Sequence, residues 1–398
     1  MLLKGLKVVE FASYIAAPGA AGILGDWGAE VIKVERPGGD AMRHVFADAK
    51  SDLAGNPTFE MDNRGKRSVV LDIGRPEGRE ALARLAASAD VFLTNVRAQS
   101  LRKAGLDEAS LRAANPRLIY ALVTGYGMEG PEADTPGFDV TAFWARAGVA
   151  RMHAPKGQDP FLLRTGVGDH ITSLATVSAI LAAVYEREQT GVGRLVQTSL
   201  LATGVYVVGS DLAVQLRFGR LLSNRPRTAP LDPTANFYRS ADDRWFVVNP
   251  RGGSADWPLL AKAAGRPELV EDERFRTSRL RKDNSPLLVA ELDAAFGAMD
   301  FAEVERRLTE ADLAWAPAQT PAEVAADPQV RAAHALVEVE DGRGGTNASP
   351  AAPAVFPGAQ PDSRPPAPAL GQHTREILAE IGYTDAEIEA MFAAAAVA

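Results

Sequence analysis

The 398 residues predict an α/β protein, with a large domain built on a parallel, helix-covered sheet and a smaller α+β domain. Three observations carry this reading. The first 200 residues alternate short apolar runs with helical patterns, the β-α-β-α rhythm of a parallel sheet. The texture changes near Asn224, where NRPRTAPLDP forms a proline-rich connector. Residues 342–370, rich in Pro, Gly and Ala, read as an extended linker before two terminal helical patterns.

Leu6–Phe11 reads as the first strand, and Ala16–Trp27 as a helix with Pro18 in its first turn. Glu30–Glu35 (EVIKVE) alternates and reads as a strand. Ser68–Asp72 is strand-like, Pro76–Ala89 helical, and Asp90–Asn95 and Leu118–Thr124 strand-like again. Ile171, Leu174, Val177, Ile180, Leu181 and Val184 recur at helical spacing, giving a helix from His170 to Glu188 that Gly191 and Gly193 end. Asn236–Asn249 carries two strand patterns around ADDR, a hairpin, before helices at Asp256–Ala264, Pro286–Phe296 and Phe301–Glu310. Gln372–Ile381 and Asp385–Ala394 read as the last two helices. The expected division is a large domain over 1–200, a linker over 201–230, a small domain over 231–325, a second linker over 326–370 and the closing helices over 371–398.

Composition removes several function classes. The net charge of -8 argues against nucleic-acid and anionic-membrane partners, which need a basic footprint. With no cysteine, disulfides, thiolate metal sites and a Cys nucleophile are excluded. The five histidines (His44, His153, His170, His334 and His373) are not spaced as metal ligands, so no metal is expected. The N-terminal MLLKGLKVVEF lacks the features of a signal peptide, and no apolar run approaches the roughly 20 residues of a membrane span. A cytoplasmic location is the expectation.

In parallel sheets, ligands bind beyond the carboxyl ends of the strands. This directs attention to Ser13–Pro18, Arg36–Arg43, Asn95–Arg97 and Gly125–Gly130. Arg36 and Arg43 flank a glycine pair, and Lys66-Arg67 and Arg97, Arg102 and Lys103 add basic residues in comparable loops. Converging cations in an acidic protein suggest a phosphate-bearing ligand. Gly125–Gly130 spells GxGxxG, but PEADTPG follows and cannot open a helix promptly, so a plain turn is favoured over a nicotinamide nucleotide fingerprint. Asp169 stands at or near the N-cap of the long helix, between Gly166, Gly168 and the apolar run. Capping is the ordinary role of such an aspartate. It is compatible with a second: a carboxylate kept ionised by the helix N-terminus is an available oxygen nucleophile, with space left by the glycines.

GLKVVEFASYIAAPGA, LGDWGAEVIKVERPGGD, NRGKRSVVLD, NPRLIYALVTGYGMEGP, GFDVTAFWARAG, GVGDHITSLATVSAILAAVYEREQTGVGRLVQTSL and LGQHTREILAEIGYTDAEI occur in order along nearly the whole chain. Together they resemble the family III CoA-transferases, the group of the formyl-CoA:oxalate and carnitine CoA-transferases. The resemblance implies a Rossmann-like large domain completed by the C-terminal helices, and an interlocked homodimer. It implies that Asp169 is the catalytic nucleophile, passing through aspartyl anhydride and aspartyl–CoA thioester intermediates. Asp139 matches an acidic position beside it, and Gly252 and Gly253 match a glycine loop over the intermediates. The implied CoA-binding positions are Ile15, Ala16, Arg36, Leu71, Asn95, Val96, Arg97 and Lys103. Acyl-CoA and a carboxylic acid are then the substrates, with no cofactor beyond coenzyme A. The same superfamily holds α-methylacyl-CoA racemases, whose second base is a histidine where this chain has Phe138, and phenylalanine moves no proton. A CoA-binding protein without turnover is the remaining alternative.

Overall fold

The computed structural model describes residues 1–45, 55–250, 255–358 and 363–398. These divide into two compact units, one of 1–151, 162–219 and 331–398, the other of 152–161 and 220–330.

The larger unit is organised by six parallel strands: β1 (Lys7–Phe11), β2 (Glu30–Glu35), β3 (Arg67–Val70), β4 (Val91–Thr94), β5 (Ile119–Thr124) and β6 (Leu195–Ser199). Their order is β3-β2-β1-β4-β5-β6, the doubly wound arrangement whose direction reverses between β1 and β4. Val and Ile dominate these strands because branched side chains suit a sheet buried on both faces. Successive residues serve opposite layers. Val9, Ile32, Val34, Phe92, Tyr120 and Leu122 join one core with Leu82 and Leu85 of the helix Pro76–Ala87 and with Ile377, Leu378, Ile388 and Met391 of the C-terminal helices. Val8, Val31, Val91, Leu93, Ile119 and Val123 join the other. That second layer is made by α1 (Ala16–Asp26), through Ala17, Ala20, Ala21 and Leu24, and by the helix Val167–Thr190, through Val177, Ile180 and Ala183.

Several segments differ from the sequence reading. β6 is a strand without an alternating apolar pattern, since only Val196 and Ser199 are buried in it. Residues 201–230, expected as a linker, hold most of the helix Leu200–Val207 and all of Gly209–Phe218. Residues 326–370 contain an antiparallel hairpin, Leu336–Glu340 with Thr346–Pro350, turned by DGRGG. The helix Val167–Thr190 is long and apolar enough to cross a membrane, contrary to the expectation that no such run exists. In this fold its apolar face is packed on α1 and the sheet.

The smaller unit carries a three-stranded antiparallel sheet of Asn236–Arg239, Trp245–Val248 and Trp315–Pro317, the first two forming the expected hairpin. Its core gathers Tyr238, Phe246, Trp257, Phe275, Phe296 and Phe301.

Candidate active site

Because the strands are parallel, the loops after β1, β2, β4 and β5 share one edge of the sheet. The loop after β1 and the loop after β4 straddle the reversal point, and Asn95 locks them together. Its Oδ1 accepts from Ser13 N at 3.0 Å and its Nδ2 donates to Ser13 O at 2.6 Å. Tyr14 adopts a left-handed conformation, φ 69°, rare for a residue with a side chain. Its N–H donates to Asp40 Oδ1 at 3.1 Å. Beneath this loop lies a buried ionic chain. Lys33 Nζ stands 2.7 Å from Glu10 and 2.9 Å from Asp40, and Lys66 Nζ 2.6 Å from Glu10. Two lysines against two carboxylates leave the chain neutral. Burial alone would lower Lys33, but Glu10 and Asp40 hold it above its ordinary value. Burial brings Lys66 down to about 8, against the pull of Glu10 and with Lys33 adding to the fall. These pairs tie β1 and β2 to the loop after β2, and the cost of desolvating four charges offsets much of their attraction.

At the start of Val167–Thr190 the geometry corrects the sequence reading of Asp169. The helix begins three residues earlier than expected, its N-cap is Gly166, and Asp169 lies in the first turn. The N-terminal N–H groups are satisfied from elsewhere: Asp139 Oδ2 accepts from Gly166 N at 3.0 Å and Oδ1 from Gly168 N at 3.2 Å. Asp139 is buried, on a π-helical segment, Asp139–Arg146. The capping role thus belongs to Asp139. The Asp169 carboxylate accepts no hydrogen bond shown among the described residues.

Its electrostatics follow. Burial, then the charge of Asp139, raises Asp169 to about 7, with His170 pulling the other way and Asp62 adding a little. The expectation of a carboxylate held firmly ionised by the helix terminus is therefore corrected, because Asp139 already occupies that terminus. Asp139 itself is raised by burial, despite the N–H groups of Gly166, Gly168 and Asp169. The glycines are obligatory. A Cβ at Gly168 would stand 2.4 Å from the Phe143 ring and 2.5 Å from Asp139 Oδ1. Gly166 has φ +89°, and a Cβ there would lie 3.5 Å from Ile15 Cδ1. Ile15, buried at the entry to α1, is thereby placed beside the start of the Asp169 helix. Ser173 Oγ ties the helices together by donating to Ala16 O at 2.7 Å.

The remaining expected positions separate into two groups. Arg36, Arg97 and Lys103 are exposed, and no ion pair is shown for any of them among the described residues. Val96 is half-buried beside Asn95. Leu71, by contrast, is buried in the core and bridged to Val397, so only its neighbourhood is open to a ligand. The wider set of basic residues does not converge as the sequence suggested. Arg43 pairs with Glu35, Lys66 with Glu10, and Arg67 with Glu30, Glu376 and Glu380. Gly252 and Gly253 lie outside the described residues. Gly125–Gly130 opens no helix, and a Cβ on Gly125 would sit 2.6 Å from Gly137 Cα, so this glycine serves close backbone packing.

Sequence reasoning singled out the loops that hold Tyr14 and Asp40 without naming either residue, and missed Asp62. Asp62 Oδ1 lies 3.1 Å from His170 Nε2, a contact between residues 108 apart in the chain. Phe138 is 51% exposed and meets the Tyr14 ring edge-on at 5.4 Å. Phe143 and Trp257 are buried in the cores of their units. Arg146 is engaged with Glu132 at 2.9 Å.

A doubly wound sheet, loops joined across its reversal point and a half-buried carboxylate beside them make this edge the candidate ligand site of an α/β enzyme fold. Residues 3–374 match CoA-transferase family III, and the chain belongs to that family. It is 35% identical over 390 residues to the (R)-2-hydroxy-4-methylpentanoate CoA-transferase of Clostridioides difficile, covering 98% of this chain and 97% of that one. It is 33% identical over 392 residues to the cinnamoyl-CoA:phenyllactate CoA-transferase of Clostridium sporogenes, covering 98% and 95%. A CAIB/BAIF family protein from Brucella suis has the same fold, with TM-score 0.85, 32% identity and coverage of 95% and 99%.

Proposed function

We propose that this CoA-transferase works through covalent catalysis at Asp169, and the observation that carries the reading is a half-buried carboxylate left free because Asp139 takes the helix cap. In the first step the Asp169 carboxylate attacks the thioester carbonyl of the donor acyl-CoA. The C–S bond breaks, giving an aspartyl–acyl anhydride and CoA thiolate. The thiolate then attacks the aspartyl carbonyl, releasing the donor acid and leaving an aspartyl–CoA thioester. The acceptor carboxylate attacks that thioester, forming a second anhydride and freeing the thiolate. Attack of the thiolate on the acceptor's acyl carbon yields the new acyl-CoA and restores Asp169. No thioester energy is lost provided water is excluded.

The α1 N-terminus has no side-chain cap, so N–H groups near Ile15 and Ala16 are available to the thioester oxygen as charge develops. Arg36, Arg97 and Lys103 suit the CoA phosphates, and Asn95 and Val96 shape the groove between them. Leu71 marks the adenine side. Asp139 positions Asp169 and tunes it. Exposed Tyr14 and Phe138 favour an apolar, branched or aromatic acyl group. The homologous enzymes named for 4-methylpentanoate and phenyllactate chemistry fit that choice. Racemisation is disfavoured because Phe138 bears no group that carries a proton. Tyr206, Leu216 and Phe218 are large, exposed and apolar on neighbouring helices, which supports a homodimer that covers them. The chain passes between the two units near residues 220 and 330, which suits an interlocked form of it.

An exchange screen of acyl-CoA donors against carboxylic acids, read by mass spectrometry, tests the activity. Hydroxylamine trapping followed by peptide mapping tests the intermediate. Exchange without modification at Asp169, or full activity in Asp169→Ala, refutes the mechanism. Proton exchange at Cα without CoA exchange favours the racemase.

A further inference from the structure

His170 has no part in the four steps above, yet the fold holds it with care. Its ring stands over two glycines. A Cβ on Gly166 would lie 3.3 Å from Cε1, and one on Gly19 would lie 3.5 Å from Cδ2. Its Nε2 is fixed by Asp62, whose side chain is only 5% exposed, on the helix Pro57–Asn63. With Nε2 bound to a carboxylate, that nitrogen carries its proton, and protonation of Nδ1 completes a cation paired to Asp62.

The groups facing this point are strongly unbalanced. Asp62 comes from Pro57–Asn63, Asp139 from the π-helical segment, and Asp169 from the histidine's own helix. Asp62 is also felt by Lys66, but Lys66 is bound to Glu10 and to Asn63 Oδ1. From α1 Gly19 approaches, and that helix bears no ionisable residue before Asp26 at its far end. Three carboxylates therefore meet one imidazole.

We propose that His170, anchored by Asp62, is a positioning residue for the reaction at Asp169, its imidazolium supplying the positive charge that balances the carboxylates crowded at the helix start. This rests on the reading of Asp169 as nucleophile. Adjacent helical residues project about 100° apart, so the imidazolium acts through space and leaves the attacking oxygen unobstructed. Burial would lower His170, but the hydrogen bond and charge of Asp62, with Asp169 and Asp139, raise it, which extends upward the pH range in which it is cationic. The same charge opposes burial and Asp139 at Asp169.

The test compares the parent, His170→Gln and Asp62→Asn in kcat/KM for CoA exchange, from about pH 5.5 to 9.5. Loss of the cation moves the acid limb of His170→Gln upward by about one pH unit. That makes it about tenfold slower than the parent near pH 6, with the deficit closing as pH rises. Asp62→Asn moves the limb the same way by less. An unmoved limb, or a loss by one factor at every pH, overturns the proposal and leaves His170 a packing residue. Heteronuclear NMR titration of the His170 ring, assigned by its absence from His170→Gln, reads the charge pair without turnover. A midpoint above about 6.5 that falls in Asp62→Asn supports the pair; an ordinary midpoint insensitive to Asp62→Asn overturns it. Should the ring titrate as expected while the parent exchanges no CoA, the reading of the reaction fails instead.

Discussion

Replacing Asp169 by asparagine is expected to stabilise the protein above neutral pH while abolishing CoA exchange. The two possible roles of this residue make opposite forecasts. A capping aspartate contributes about 1 kcal/mol, so its loss would destabilise. A carboxylate strained by burial and by Asp139 costs stability whenever it is ionised. The magnitude follows from linkage. The folded value of about 7 lies roughly three units above the ordinary 3.8, and at 1.36 kcal/mol per unit this sets a ceiling of about 4 kcal/mol. Asp169 is only half-buried, and solvent screening reduces the usable figure to about 1–3 kcal/mol. Losing a negative charge in the first helical turn returns about 0.3–1 kcal/mol of that, so the net sign remains stabilising.

The sign also depends on pH. Below 3.8 the carboxyl is protonated in both states and contributes nothing. Between 3.8 and about 7 the folded state binds the extra proton, so the penalty grows as pH rises, and above about 7 it is complete. Asp169→Asn should therefore melt higher than the parent at pH 8, with the advantage shrinking toward pH 4. Thermal denaturation at matched protein concentration, at both pH values, decides it. A variant less stable than the parent at pH 8, or a gain independent of pH, refutes the strained-nucleophile account.

Three further outcomes are expected. For the parent, kcat/KM should fall as pH drops through about 7, because the nucleophile is lost when Asp169 is protonated; a flat profile down to pH 5 contradicts its raised pKa. Gly168→Ala forces a Cβ to 2.4 Å from the Phe143 ring and 2.5 Å from Asp139 Oδ1. It should cost about 2–4 kcal/mol in chemical denaturation and lower kcat although Asp169 is intact. Asn95→Ala removes both hydrogen bonds to Ser13 and should raise KM for acyl-CoA about tenfold, against little change for Arg102→Ala at the exposed face of the next helix.

What the sequence made legible was what periodicity encodes. β1, β2 and the helix over Phe301–Glu310 lie where alternation or helical spacing put them, within a residue. β6 was missed because Gln197 is exposed and Thr198 half-buried, so it lacks an apolar stripe. At the site, Asp169 and Asp139 were both visible as residues, but not the exchange of roles between them. That exchange depends on a contact across 27 residues, Asp139 to Gly166, which no local pattern signals. Arg43 and Arg67 looked like ligand-binding cations because sequence shows charge without partners. Their glutamates are Glu35 and Glu30 on β2, and Glu376 and Glu380 on one helix more than 300 residues from Arg67.

The site's geometry is finally a consequence of what α1 lacks. Gly19 admits Ser173 Oγ to 2.7 Å and Asp62 Oδ1 to 3.2 Å of where its side chain would be, and Gly22 admits the Asp62 backbone to 2.8 Å. Those approaches let α1, Pro57–Asn63 and Val167–Thr190 meet at one point. Only there can Asp62 hold His170, Ser173 hold Ala16, and Ile15 reach the glycine before Asp169. A methyl group at Gly19 would thus act on Asp169 without touching it, by separating the helix that carries Asp169 from the loop that carries Ile15. Gly19, Gly22 and Gly168 set how closely Asp62, Asp139 and Ser173 can approach, and the charged residues act at the spacing those glycines permit.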